Sequence, residues 1–224
     1  CGGDDGGSSS GMPDKLGEGE GEVNLVAWAG YVEDGSTDPA VDWVSDFESE
    51  TGCKVNVKIG NTSDEMVELM QSGEYDAVSA SGDATLRLIA GGDVAPVNVD
   101  LIPNYADVFA DLKNKPWNSV DGVAYGVPHG RGANVLAYNS EAGPAPTSIK
   151  DMFDPASPWA GKISVYDSPI YIADAAIYLM ATQPDLGITD PYALDADQFA
   201  AAIDALKTHC LLYTSPSPRD VEES

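Results

Sequence analysis

The chain has 224 residues, 43% of them hydrophobic, with 37 acidic against 11 basic side chains and a formal net charge of −26. That length and apolar content suffice for one large domain or two small lobes, while so acidic a surface excludes nucleic acid as a partner, because phosphate binding needs a basic one. No apolar run is long enough to span a bilayer, and the acidity fits solubility in a secreted or surface setting or, alternatively, a negative field that attracts a cation.

Residues 1–22, CGGDDGGSSSGMPDKLGEGEGE, hold glycine, serine and acid with almost nothing to bury, which describes a flexible tether. A first residue Cys followed by such a linker resembles a bacterial lipoprotein after removal of its signal peptide, which implies a lipid on Cys1 and a membrane-surface location. Cys53, in TGCKV, reads as a small buried hydrophobe at the start of a strand, so no disulfide framework is expected. With two histidines far apart and no cysteine pair at ligand spacing, neither is a metal site.

The body then alternates strands and helices. VNLVAW, from Val23 to Trp28, is an apolar run of strand length. Asp38 and Pro39 supply an N-cap and a first helical proline, with Val41, Val44 and Phe47 as the apolar stripe of a helix that Gly52 stops. KVNVKIG alternates Val55, Val57 and Ile59 as a second strand, and TSDEMVELM opens a helix with capping-box spacing from Thr62 to Glu65. DAVSA, residues 76–80, is a third short strand, and Ser81 is the expected cap of the helix SGDATLRLIAGG. This βαβαβ order predicts a parallel sheet with helices on its faces, and ligands bind such sheets outside the carboxyl ends of the strands. Those ends are WAGY, IGNTSD and SASGD.

Further along, AYGVPHGRGANVLAYN reads as two strands, Val123 to Pro128 and Asn134 to Tyr138, around a glycine-rich turn, the second leaving one lobe for the next as hinge segments do. GRGAN lacks the spacing of a dinucleotide loop, and His129 in this turn reads as solvated or hydrogen-bonded rather than catalytic. A second lobe from Asn139 is expected to hold a strand over Lys162 to Tyr166 and a helix started by Ser168 as cap and Pro169. Asp167 then sits at a strand-to-helix turn.

The consecutive blocks VNLVAWAGYV, FESETGCKVNVKIGNTSDEMVELMQSGEYDAVSASGD, KPWNSVDGVAYGVPHGRGANVLAYN and SIKDMFDPASPWAGKISVYDSP resemble the extracellular solute-binding proteins of ABC importers, most closely the spermidine/putrescine-binding branch. The resemblance covers about Val23 to Lys207 in the right order. It implies a type II periplasmic-binding-protein-like α/β fold of two lobes with a hinge: a first lobe over residues 23–138 and a partial second lobe over 139–209. It further implies a monomeric, extracytoplasmic receptor without cofactor that captures a small cationic solute, a polyamine, in the cleft and delivers it to a membrane permease.

A polyamine is an apolar chain with ammonium ends, so its receptor needs carboxylates at the ends and aromatic faces along the methylenes. Carried over position by position, the family's Trp and Tyr after the first strand match Trp28 and Tyr31, and its Ser after the third strand matches Ser81. Its next aromatic ligand falls at Asp83, a departure that replaces a stacking face with a charge. In the second lobe, where the family grips an ammonium with two acids, the sequence reads YDSPIY, leaving Asp167 close by and Ser168 and Tyr171 at the gripping positions.

Each has a plainer reading as well: Asp83 and Asp167 favour a helix start through the dipole alone, and Trp28, Tyr31, Tyr166 and Tyr171 suit a core. Anion receptors use bare N–H groups at helix starts, which Asp83 opposes. Ferric iron, bound by Tyr31, Tyr171 and a carboxylate, and thiamine remain as other solutes, and a sensor remains as an alternative to transport. No Ser-His-Asp arrangement, nucleophile elbow or P-loop is present, so an enzyme is not expected.

The ending CLLYTSPSPRD resembles translated read-through of a sequencing-library adapter. Residues 210–224 are therefore expected to be a non-native tail on a second lobe that is incomplete, since a two-lobed receptor returns its chain to the first lobe.

Overall fold

Strand β1, Glu22–Ala27, is the axis of the first unit in a computed structural model that describes residues 12–165 and 168–209. It pairs in parallel with β2, Lys54–Ile59, in a register running from Glu22 opposite Lys54 to Ala27 opposite Ile59. On its other side lies β3, Ala77–Val78, with Leu25 opposite Ala77. The sheet order is therefore β2-β1-β3, all parallel. Val26 and Ala27 are consecutive, hence on opposite faces, and both are buried; a central parallel strand covered on both faces needs the unbroken apolar run seen in the sequence.

Helices α2, Ser63–Gln71, and α3, Gly82–Gly91, follow β2 and β3. Val67 and Met70 of α2 meet Ala84 and Leu88 of α3 in one cluster that Tyr75, Val78 and Val94 extend. Each large apolar side chain so buried contributes about 1.5–3 kcal/mol. The cap of α2 is as expected on one side: Thr62 Oγ1 accepts from the Glu65 amide at 3.1 Å. The return bond from Glu65 goes one residue further back, to the Asn61 amide at 2.8 Å.

Helix α1 spans Val44–Thr51 and starts later than the Asp38-Pro39 signal indicates. Asp38 instead holds the Ala40 amide in a local turn, and an antiparallel bridge joins Asp34 to Asp42. Asp42 then accepts from the Ser45 amide. Val41 and Phe47, read as core, are exposed, and only Val44 of that stripe is buried. Gly52 ends the helix in the left-handed conformation, φ 70°. Cys53 is buried as expected but is disulfide-bonded, which corrects the reading of it as an unpaired hydrophobe.

A hairpin unforeseen in the sequence, β4 Ser119–Val120 and β5 Val123–Ala124, turns on Asp121 and Gly122, both at positive φ, the requirement of a type I′ turn. The expected strand Val123–Pro128 is thereby reduced to two residues.

The chain divides at Gly132, ahead of the expected boundary after Tyr138. The described residues of the second unit contain no strand, so Asn134–Tyr138 and Lys162–Val165 do not form the ladders expected of them; Ile163 alone makes a bridge, and Val135 is 80% exposed. Extended segments become strands only where a neighbour takes their N–H and C=O groups. The core here is helical: Phe153 of α4 (Lys150–Phe153), Tyr171, Ala175, Ala176 and Leu179 of α5 (Tyr171–Thr182), and Ala202 of α6 (Ala196–His209). No helix among the described residues is long and apolar enough to cross a membrane.

Candidate functional site

The order β2-β1-β3 creates a switch point. The chain leaves β1 for a neighbour on one side and, after β2, returns to the other, so the connections leaving β1 and β3 diverge at the carboxyl edge of adjacent strands. In open α/β sheets this is where ligands bind. The Ser79 amide donates to the Val26 carbonyl at 2.8 Å, which holds the two chain exits side by side.

Trp28 leaves β1 directly and is partly buried. The Tyr31 amide donates to the Trp28 carbonyl at 3.1 Å, closing a turn that needs Gly30 at φ 82°. The Tyr31 ring, 40% exposed, stacks on His129, with centroids 4.6 Å apart and planes 22° from parallel. His129, read from sequence as a solvated turn residue, thus belongs to the aromatic surface beside β1.

After β3, Ser81 is the N-cap of α3, but its hydroxyl does not cap. It is hydrogen-bonded at 2.9 Å to the hydroxyl of Ser63, the buried first residue of α2. The Ser81 carbonyl accepts from the Thr85 amide and hydroxyl. The two helix starts that face the carboxyl edge are joined in this way.

Asp83 follows in the first turn of α3. Both its carboxylate oxygens are buried, and neither has a hydrogen-bond partner among the described residues. Arg87, one turn along and spaced to reach Asp83, is paired with Asp64 instead. Trp117 packs on Gly82: a Cβ at Gly82 would lie 2.8 Å from Trp117 Cβ and 3.3 Å from its Cγ. The contacts of Ser63, His129 and Trp117 with Ser81, Tyr31 and Gly82 were not legible in the sequence. The first two lie in signals with local explanations, a helix start and a turn, and the third lies in an irregular stretch.

In the second unit Tyr171 is 8% exposed, its hydroxyl 3.2 Å from His209 Nδ1 and its ring stacked with Phe153. It is a core residue there, and its hydroxyl is already engaged. Ser168 is partly buried and its carbonyl accepts from the Tyr171 amide, so the turn begins at Ser168 although the helix proper begins at Tyr171. Asp167, Tyr166 and Cys1 lie outside the described residues. An acid that the sequence reading passed over, Asp174, is buried in α5 with Asn134 Nδ2 at 3.3 Å from each of its oxygens. Burial lowers the pKa of His209 below the usual histidine value, against a smaller opposing effect of a backbone hydrogen bond at Met152. Among the described residues no group of three or more His, Cys, Asp or Glu is placed to hold a metal ion.

The parallel sheet carries aromatic, hydroxyl and acidic side chains at its switch point, and the fold is that of periplasmic binding proteins. The chain belongs to the bacterial extracellular solute-binding protein family, whose model matches residues 42–210. Among solved structures it is similar to the spermidine/putrescine ABC transporter substrate-binding protein PotD from Streptococcus pneumoniae, in complex with calcium and HEPES. That likeness has 15% identity and a TM-score of 0.52, over 86% of this chain and 55% of that one. It is also similar to a protein of Listeria monocytogenes named for spermidine/putrescine ABC transport, at 16% identity with a TM-score of 0.59, over 86% of this chain and 56% of that one. The chain thus spans a little over half the length of each of these structures.

Proposed function

We propose that this protein is the extracytoplasmic solute receptor of an ABC importer and that its solute is an amine-bearing cation of the polyamine class. Family membership supports the receptor role, and the names of the two similar structures point to polyamines. The observation that carries the choice of a cation is the position of Asp83. It occupies the first turn of α3 at the switch point, where an anion receptor would present bare backbone N–H groups. Trp28 and the Tyr31–His129 stack supply flat faces suited to methylenes and to cation–π contact. In this reading Trp28, Tyr31, Ser81 and Asp83 are the first unit's contribution. Tyr171 contributes only by ordering the start of α5.

Calorimetric titration of the full chain with putrescine, spermidine, thiamine, ferric citrate and sulfate tests it. Saturable heat with either amine, and none with sulfate, is the expected result. Binding of thiamine or ferric citrate without either amine would replace the solute class, and silence toward both amines ends the polyamine reading.

A further inference from the structure

We infer that Asp83, with Trp117 beside it, is a subsite for a primary ammonium group, so that the solute is selected for N–H donors as well as for positive charge. This rests on the reading of the protein as a receptor for a cation.

Several other carboxylates at chain turns have donors. Glu65 accepts from Asn61, Asp42 from Ser45, and Asp151 from Thr147. Asp83 differs: its two oxygens are buried without a hydrogen bond. Leaving a buried carboxylate unsatisfied is among the costlier arrangements a fold can hold. The local groups that would relieve it are committed elsewhere, Arg87 to Asp64 and the Ser81 hydroxyl to Ser63. The start of α3 supplies a favourable dipole, which offsets charge but donates no hydrogen bond to these oxygens.

A compact cation with several N–H groups would satisfy both oxygens. A primary ammonium has three, enough to serve both oxygens at once, and charge-assisted bonds of this kind are about twice as strong as neutral ones. A quaternary ammonium carries the same charge with no N–H, so it would leave the carboxylate unsatisfied. Both oxygens are buried, so admitting the solute requires a side chain to turn aside. Trp117 packs on the backbone of Gly82, directly before Asp83, and is 45% exposed. Moved outward, its indole offers a face to the incoming cation.

The test compares 1,4-diaminobutane with its bis(trimethylammonium) analogue, equal in charge and spacing, by calorimetry on the full chain. The wild type is expected to prefer the diamine by about tenfold or more, and Asp83→Asn to weaken diamine binding by a similar factor, as loss of a charge-assisted bond requires. Solute-free Asp83→Asn should also melt higher than the wild type, because an unsatisfied buried charge has been removed. Trp117→Phe should reduce a diamine-induced change in indole fluorescence to the part that Trp28 gives. Equal affinity for the two cations, diamine binding indifferent to Asp83→Asn, or a lower melting temperature for that variant would each overturn the inference. The last is the signature of a carboxylate that serves only the helix dipole. If the diamine binds and ignores Asp83, this inference alone fails; if neither cation binds, the cation reading fails and takes the inference with it.

Discussion

Tyr31 and His129, far apart in sequence, stack face to face with ring centroids 4.6 Å apart. The contact ties the turn after β1 to the segment that precedes the division of the chain at Gly132. Aromatic pairs of this geometry contribute about 0.5–1.5 kcal/mol beyond their burial. His129→Ala should therefore free the Tyr31 ring and weaken amine binding by about two- to tenfold. Because both rings are substantially exposed, the melting temperature should hardly move. Calorimetry and a thermal melt on the same variant separate the two effects, and unchanged affinity would detach the stack from the site.

The Ser63–Ser81 hydroxyl pair predicts a loss of stability instead. Ser63→Ala removes a partly buried hydrogen bond at the meeting of two helix starts. The expected cost is about 1 kcal/mol, visible as a drop of a few degrees in the melting temperature. Ser63→Thr, which keeps the hydroxyl, should recover most of it if the added methyl is accommodated.

At the start of α2, Thr62→Ala should cost about 1 kcal/mol through loss of the cap, whereas Thr62→Ser should be nearly silent in denaturant titration. Glu65 adds a pH dependence. The Asn61 amide hydrogen bond lowers its pKa below the ordinary glutamate value. The stabilisation is thus present above the ordinary value and disappears as the pH falls through the lowered one. The protection factor of the Asn61 amide, measured on a descending pH series, should fall in that acid window, and Glu65→Gln should remove that pH dependence.

Gly60 ends the ladder of β2 by donating its amide to the Ala27 carbonyl at 3.0 Å. A Cβ there would come within 2.8 Å of Met66 Cγ and 3.5 Å of Val26 Cγ1, both in the core of the first unit. Gly60→Ala should destabilise by about 1–3 kcal/mol, the usual range for overpacking. A double-mutant cycle with Met66→Ala, read from chemical denaturation, would localise the clash: Gly60→Ala should cost less in the Met66→Ala background than in the wild type.

His209 sets a pH response in the second unit. Its ring packs with Phe153, centroids 4.6 Å apart, and burial depresses its pKa. Below the ordinary histidine value the unfolded chain takes up a proton more readily than the folded one, so stability falls as the pH drops. The contribution is fully present above the unfolded value and is lost as the pH falls toward and through the folded one. Melting temperatures followed from pH 8 to pH 5 should decline, and His209→Phe should flatten that decline. A wild-type curve that rises on acidification would contradict the assignment.

Much of the first unit was readable because its signals are local. The central strand shows as an apolar run, the cap of α2 as Thr62 three residues before Glu65, and the end of α1 as Gly52. The start of α1 was misread because Asp38 and Pro39 satisfy a cap pattern, yet Asp34 and Asp42 compete for the same stretch through a bridge between residues eight apart. The Asp121-Gly122 turn was a legible hairpin signal passed over just ahead of the strand read from Val123. Asn134–Tyr138 has strand composition, but composition does not provide the neighbour that makes a strand.

By itself the sequence determined the chemical character of the protein: an acidic α/β chain whose strand ends carry Trp28, Tyr31, Ser81 and Asp83, with the blocks of a solute receptor in order. Tertiary structure alone decided which of those side chains are already engaged. Ser81 turns to Ser63 rather than capping, Tyr171 is drawn into a core with His209, and His129 is recruited by Tyr31. Asp83 is left with both oxygens buried and unpaired. The reason is physical. Charge, apolar period and caps act over a few residues and are written in order along the chain, whereas the partner of a hydroxyl, a ring or a carboxylate is whatever the packed helices bring within about 3–5 Å.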